Sequence, residues 1–182
     1  MNPITLEGPR LTFRELREDD VDALFEIYGS EVATEHLSFD PRPLDSVASV
    51  IASGIADTQV DPRTVYALAV TLKEDPGLIG YARLALEAHR AGQIGFALNP
   101  SVWGQGYGTE TVRLLLQLGF DQLGLHRIWG ARSPKNAASA RAMSGNGMVE
   151  EARIRDHVFT HGAWRDSITH VILEDEWRQP ER

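Results

Sequence analysis

The spacing of apolar positions changes several times along the chain, and each change marks an element. "GPRLTFREL" (8–16) sets Leu11 and Phe13 two apart between polar neighbours, the period of a half-buried strand. "REDDVDALFEIYG" then places Val21, Leu24, Phe25 and Tyr28 on one helical stripe, with Asp19 or Asp20 to cap it and Gly29 to stop it. "FDPRP" (39–43) reads as a loop and "LDSVASVIASGIAD" (44–57) as a second, less amphipathic helix. Three β-rich runs follow: "TVYALAVTL" (64–72), "GLIGYARLALEA" (77–88) and "GQIGFALNP" (92–100). "KEDPG" and "HRAG" between them carry turn residues, which predicts an antiparallel meander. Val112, Leu115, Leu116 and Gly119 return to helical spacing, Leu118 and Phe120 add apolar surface, and Arg113 and Gln117 take the other side. A helix therefore starts near Gly108 or Thr109. "HRIWGAR" reads as a strand, "NAASARAMSG" as a short helix, and "GMVEEARIRDHVF" and "AWRDSITHVILEDEW" as closing strands. The order β-α-α-β-β-β-α-β-α-β-β predicts an α+β fold, a mixed, mostly antiparallel sheet with helices on its faces.

Composition narrows the class. The 182 residues suit one domain, with its core at about 9–177 and a short C-terminal tail. Hydrophobic residues make up 42% and charged residues 24%, as in a globular protein. "MNPITLEGPR" has neither a basic flank nor an apolar stretch of signal length, and no 18 apolar residues run together. These features point to the cytoplasm and away from membranes. The absence of cysteine excludes disulfides, a thiolate-held metal and a cysteinyl intermediate. The formal charge of −8 argues against a nucleic-acid partner, although "HRIWGARSPKNAASAR" is locally basic and free of acids. The six histidines are scattered; His157 and His161 flank a turn, a weak ligand set, so no metal is expected.

"NPSVWGQGYGTETVRLLLQLGF" (99–120) carries Gly104, Gly106 and Gly108 just before its helix. The first N–H groups of a helix lack partners within it, and its dipole is positive there. Glycines let a ligand approach that backbone, so strand, glycine turn and helix together form a phosphate-binding design. The G-x-G-x-x-G and G-K-[ST] patterns are both absent. The plain alternative is a tight turn with close helix–sheet packing.

"WGQGYGTETVRLLLQLGF" resembles the pyrophosphate loop and following helix of the GNAT N-acetyltransferases. "GPRLTFRELREDDVDALFEIY", "QIGFALNPSVWGQGYGTE", "NAASARAMSGNGMVEEARIR" and "HGAWRDSITHVILEDEW" resemble, in order, other segments of the branch containing the ribosomal-protein N-terminal acetyltransferases. In the family pattern [QR]-x-x-G-x-[GA], Trp103 takes the first position here, which leaves more of the phosphate contact to the backbone.

The resemblance implies direct transfer of an acetyl group from acetyl-CoA to a primary amine, without a covalent enzyme intermediate. The acceptor would be a protein N-terminus first, then an amino acid, polyamine or aminoglycoside, and a homodimer is compatible with this branch. The pantetheine arm would run beside Ile94 to Asn99, touching Phe96, Ala97 and Leu98. Backbone amides of Gln105, Gly106, Tyr107, Gly108 and Thr109 would take the pyrophosphate, and Asn136 the arm. Arg113, Arg141, Lys135 and Arg132 are candidates for the outer phosphate; as surface arginines and lysines they serve equally as solvated charges. A backbone N–H near Leu98 would polarise the thioester carbonyl. Among Tyr28, Tyr66, Tyr81 and Tyr107 none occupies the place of the thiolate-protonating tyrosine; Ser139 matches the position assigned to that task in this branch.

An α-amine titrates near 7.7–8.0, so part of it is already neutral at pH 7. Gln93 stands where relatives often carry an acid. The base would be His157, whose side-chain type titrates near 6.5, or Asp156, or Glu87 and Glu35 near the acceptor cleft, or a water-mediated route. "EHLSFDPRP" (35–43) falls where relatives build the acceptor wall, and the net charge favours a cationic acceptor. The competing class is an acyl-CoA-binding sensor that has lost catalysis.

Overall fold

The computed structural model describes residues 3–178, so the extreme ends of the expected 1–182 domain lie outside it. Strand β1 (Thr5–Glu7) turns at Gly8, whose N–H donates to Leu11 O, into β2 (Leu11–Glu15). Helices α1 (Val21–Tyr28), α2 (Glu31–Thr34) and α3 (Leu44–Asp57) follow. The meander is β3 (Val65–Leu72), β4 (Asp75–Glu87) and β5 (Ala91–Leu98). Helix α4 (Tyr107–Gln117) runs on through a π turn at Leu118–Gln122 into β6 (Arg127–Arg132). Helix α5 (Ala137–Ser144), β7 (Val149–Thr160), β8 (Ala163–Leu173) and α6 (Glu174–Trp177) complete the chain.

The eight strands form one sheet in the order β1-β2-β3-β4-β5-β6-β8-β7. Every neighbouring pair is antiparallel except β5 and β6. Strand alternation divides the core between the two faces. Leu68 and Val70 of β3 pack with Val112, Leu115 and Leu116 of α4. Ala67 and Ala69 face the other way, against Leu24 and Ile27 of α1 and Val47 and Ile51 of α3. No helix among the described residues is long and apolar enough to cross a membrane.

The differences from the sequence reading are local. The β3–β4 turn is confined to residues 73–74, so Asp75 and Pro76 belong to the strand. The last strand stops at Leu173, and "EDEW" winds into α6 because the Glu176 carboxylate accepts the Leu173 N–H (2.8 Å). Trp177 then stacks on Phe120.

Between β6 and β8, Arg132 Nε donates to His170 Nε2 at 3.0 Å. His170 is buried, and burial first, then the Arg132 charge, holds its imidazole below the usual histidine value. The unfolded chain therefore binds that proton more readily, and stability falls as pH drops through about 6.5 towards the folded value. Melting temperature should decline between pH 7.5 and pH 5.5, and His170→Gln should flatten that part of the profile.

Candidate active site

After β5 the Asn99 side-chain oxygen accepts the Ser101 N–H (3.0 Å), and the chain makes a 3-10 turn at Pro100–Val102. The Trp103 indole N–H reaches back to Leu98 O at 2.9 Å. Gly104 and Gly106 follow with φ of 76° and 80°, a region open to glycine and costly for other residues. Gly106 is the N-cap of α4, and no side chain caps that helix. Its ladder begins with Glu110 N–H on Gly106 O, so the N–H groups of Tyr107, Gly108 and Thr109 precede it. Gly108 is different: a Cβ there would make ordinary contacts with Ala142 (3.7 Å) and Phe96 (3.8 Å). Two of the three glycines are thus required by backbone conformation.

A brace that the sequence did not disclose holds this loop. Glu110, buried in the first turn of α4, accepts from Arg10 N–H (2.7 Å), Leu11 N–H (2.8 Å) and Arg10 Nε (3.0 Å). Arg10 Nη1 donates to Gln105 O at 2.8 Å, and the guanidinium lies 4.6 Å from the Tyr107 ring centre. Residues a hundred positions apart meet here. Read alone, Glu110 is an ordinary acid at a helix start.

Beside the loop the sheet splits. β5 and β6 pair only from Ala91↔Arg127 to Ile94↔Gly130. On the other side β5 stays paired with β4 as far as Gly80↔Leu98, and Asn99 N–H donates to Ile79 O (2.8 Å). Because strand groups alternate between edges, the Phe96 and Leu98 amides turn towards the edge that β6 has left. A cavity of about 520 Å³ opens there, lined by Phe96, Ala97 and Leu98, and by Gly106, Tyr107, Gly108 and Thr109 of the loop and helix start. A second cavity of about 340 Å³ continues on the α1 side of the sheet. His36, Leu37, Phe96, Ala97, Asn136 and Ser139 border both.

Asn136 Oδ1 accepts the Ser139 N–H at 3.0 Å and so caps α5 while facing both cavities. The Ser139 hydroxyl makes no hydrogen bond to protein among the described residues. Gln105 is exposed and does not line the cavity; its carbonyl is held by Arg10. Arg141 lines the first cavity, and Lys135 neither. Arg113 is turned away, 5.7 Å from the Trp177 ring centre. Arg132 lines the second cavity and is paired with Glu150 at 3.2 Å.

Of the expected bases, His157 lines the second cavity and Glu35 the first. Two placements need correction. Glu87 was expected near the acceptor cleft, but it sits at the far end of β4 opposite Ala91, its carboxylate accepting the Trp129 indole N–H (2.9 Å). Seven residues of strand, about 23 Å, separate it from the Leu98 end. Asp156 belongs to an irregular stretch of β7, has φ of 47° and lines neither cavity. His36, which sequence reasoning passed over within "EHLSFDPRP", borders both cavities.

The loop from Glu35 to Pro43 is fastened to the β7–β8 hairpin. Asp40 Oδ1 accepts from Thr160 Oγ1 (2.7 Å) and the His161 N–H (2.6 Å), and these bonds hold its carboxyl below the usual range. Arg165 donates to the carbonyls of His36 (3.1 Å) and Leu37 (3.2 Å). Burial pushes the Tyr28 and Tyr81 phenols up, so both remain protonated. The wall of the second cavity includes Arg83, Arg132, Arg165, His36 and His157, and among the described residues no aspartate or glutamate. The acidity of the whole chain does not extend to this wall.

A family model described as an acetyltransferase (GNAT) domain matches residues 10–149. The uncharacterized N-acetyltransferase YoaA of Bacillus subtilis is 27% identical over 176 residues, 96% of this chain and 98% of that protein. A spermidine N-acetyltransferase from Vibrio cholerae, solved with CoA and spermine, superposes with a TM-score of 0.82 at 20% identity, covering 94% of this chain and 100% of that one. A ribosomal-protein-S5-alanine acetyltransferase from Vibrio fischeri gives 0.76 at 20% identity over 97% and 100%.

Proposed function

The chain belongs to the acetyltransferase (GNAT) family and is an N-acetyltransferase, and on that premise we propose that it moves the acetyl group of acetyl-CoA directly to a primary amine held in the second cavity. One observation carries the reading: an unpaired strand edge and an uncapped helix mouth open onto the same cavity. An extended pantetheine arm added along Phe96 to Leu98 would complete the ladder there. The diphosphate would take the N–H groups of Tyr107, Gly108 and Thr109, with that of Gly106 and the flanking Gln105 amide beside them. Arg141 and Asn136 line the first cavity, where Arg141 would meet the outer phosphate and Asn136 the arm.

Chemistry would follow where the cavities join. The amine nitrogen attacks the thioester carbonyl, a C–N bond forms and the C–S bond breaks. The Leu98 N–H faces that edge and would stabilise the developing oxyanion. The Ser139 hydroxyl, uncommitted to protein, would donate to the departing thiolate. The amine's proton would leave to His157, directly or through water, with Glu35 and His36 the other titratable groups at hand. A protein N-terminus and a small-molecule amine both satisfy this scheme, and the named structural neighbours act on one of each.

Thiol release from acetyl-CoA should appear with at least one amine of a broad panel. A protein that binds CoA and releases none with any amine would instead be a sensor. Ser139→Ala should lower kcat about a hundredfold or more while leaving the dissociation constant for acetyl-CoA largely unchanged. Undiminished turnover would assign the thiolate to another group.

A further inference from the structure

The second cavity names a chemistry that the chain's overall charge conceals. Arg83 projects from β4 on the same face as Tyr81 and is half-buried. Among the described residues it makes no ion pair and no hydrogen bond to protein. Arg165 spends its two terminal nitrogens on backbone carbonyls, and its Nε is buried without a partner. Two guanidinium groups without a carboxylate therefore border a cavity of about 340 Å³. Half-burying a cation without a counter-charge is costly, and a guanidinium presents paired donors that match a carboxylate.

The floor leaves room for such a group. Arg83 is paired across the ladder with Gly95, and a Cβ built on Gly95 would meet nothing within 4 Å. Nearby acids point elsewhere: Asp40 is tied to Thr160 and His161, and Asp57 bears on Tyr81 without lining the cavity. A polycation entering here would meet arginine and find no acid.

We propose that the acceptor is a small primary amine that carries its own carboxylate, which Arg83 binds while the amine faces the junction at Phe96 and Ala97. This rests on the acetyl-transfer reading and narrows its acceptor.

The test uses the full chain and matched pairs, each a free amino acid against its own carboxamide, with spermidine as a carboxylate-free polyamine. Calorimetry on CoA-loaded protein reads binding, and thiol release reads transfer. At least one acid should bind and react with a kcat/KM tenfold or more above its amide. Arg83→Gln should collapse that ratio towards one by raising KM for the acid, and Arg83→Lys should restore part of it. If no acid is preferred over its amide, or if spermidine or an amide is the better acceptor, the inference is overturned while acetyl transfer stands. If Arg83→Gln lowers kcat for both members equally and leaves their ratio intact, Arg83 does not read the carboxylate and the inference also falls. An acid that binds through Arg83 without any thiol release would keep the anion site and sink the transfer reading instead.

Discussion

Gly106→Val is expected to weaken coenzyme A binding about a hundredfold. Gly106 sits at φ 80° at the mouth of α4, where an L side chain costs about 1–2 kcal/mol and a β-branched one more. A Cβ at this position would also come to 3.4 Å from Arg10 Nη2, on the guanidinium whose Nη1 holds Gln105 O. Rotating the loop amides away from the cavity would relieve that strain. Losing aligned donors and paying strain together amount to about 3 kcal/mol, or two powers of ten in affinity. Titration calorimetry with CoA, alongside a melting curve to confirm folding, measures this directly. A folded variant with unchanged affinity would remove the diphosphate from the mouth of α4. Gly106→Ala lacks the β-branch and should show a smaller loss.

Glu110→Ala is expected to destabilise the protein by about 3–4 kcal/mol. One buried carboxylate satisfies two backbone N–H groups and one guanidinium. Removing it leaves the Leu11 amide buried without an acceptor and the Arg10 amide short of one, each worth about 1–3 kcal/mol. For a chain of this length that corresponds to a melting temperature lower by about 10 °C. The same change frees Arg10 from its anchor, so CoA affinity should fall as well, although residue 110 would touch no part of the ligand. Thermal unfolding that matches the parent protein would show that the β1–β2 turn finds other acceptors.

Patterns that repeat within one element were legible in the sequence. The meander and α4 declared themselves by period, and the glycine run located the helix mouth. Asn136 as a cap and Ser139 in the first turn of α5 follow from local spacing, and both border the cavities. What escaped depends on register and distance. Glu87 was expected near the cleft, yet antiparallel pairing sets it opposite Ala91, at the other end of β5 from Leu98. Asp156 adjoins His157 in sequence, but of the two only His157 lines a cavity. No periodicity links Arg10 to Glu110. The β6-β8-β7 order, which brings Arg165 to the wall of the second cavity, is a matter of tertiary pairing alone. Net charge averages over a surface and says nothing about which side chains turn inward, so the arginines of the second cavity were not legible from it.

The sheet's two unequal halves meet along four residue pairs between β5 and β6. Beyond that seam the free edge of β5 borders the first cavity. A strand-like guest laid into the seam would lend its own donors and acceptors to both sides, so loading and stiffening would become a single event. Such a protein would be stiffer loaded than empty.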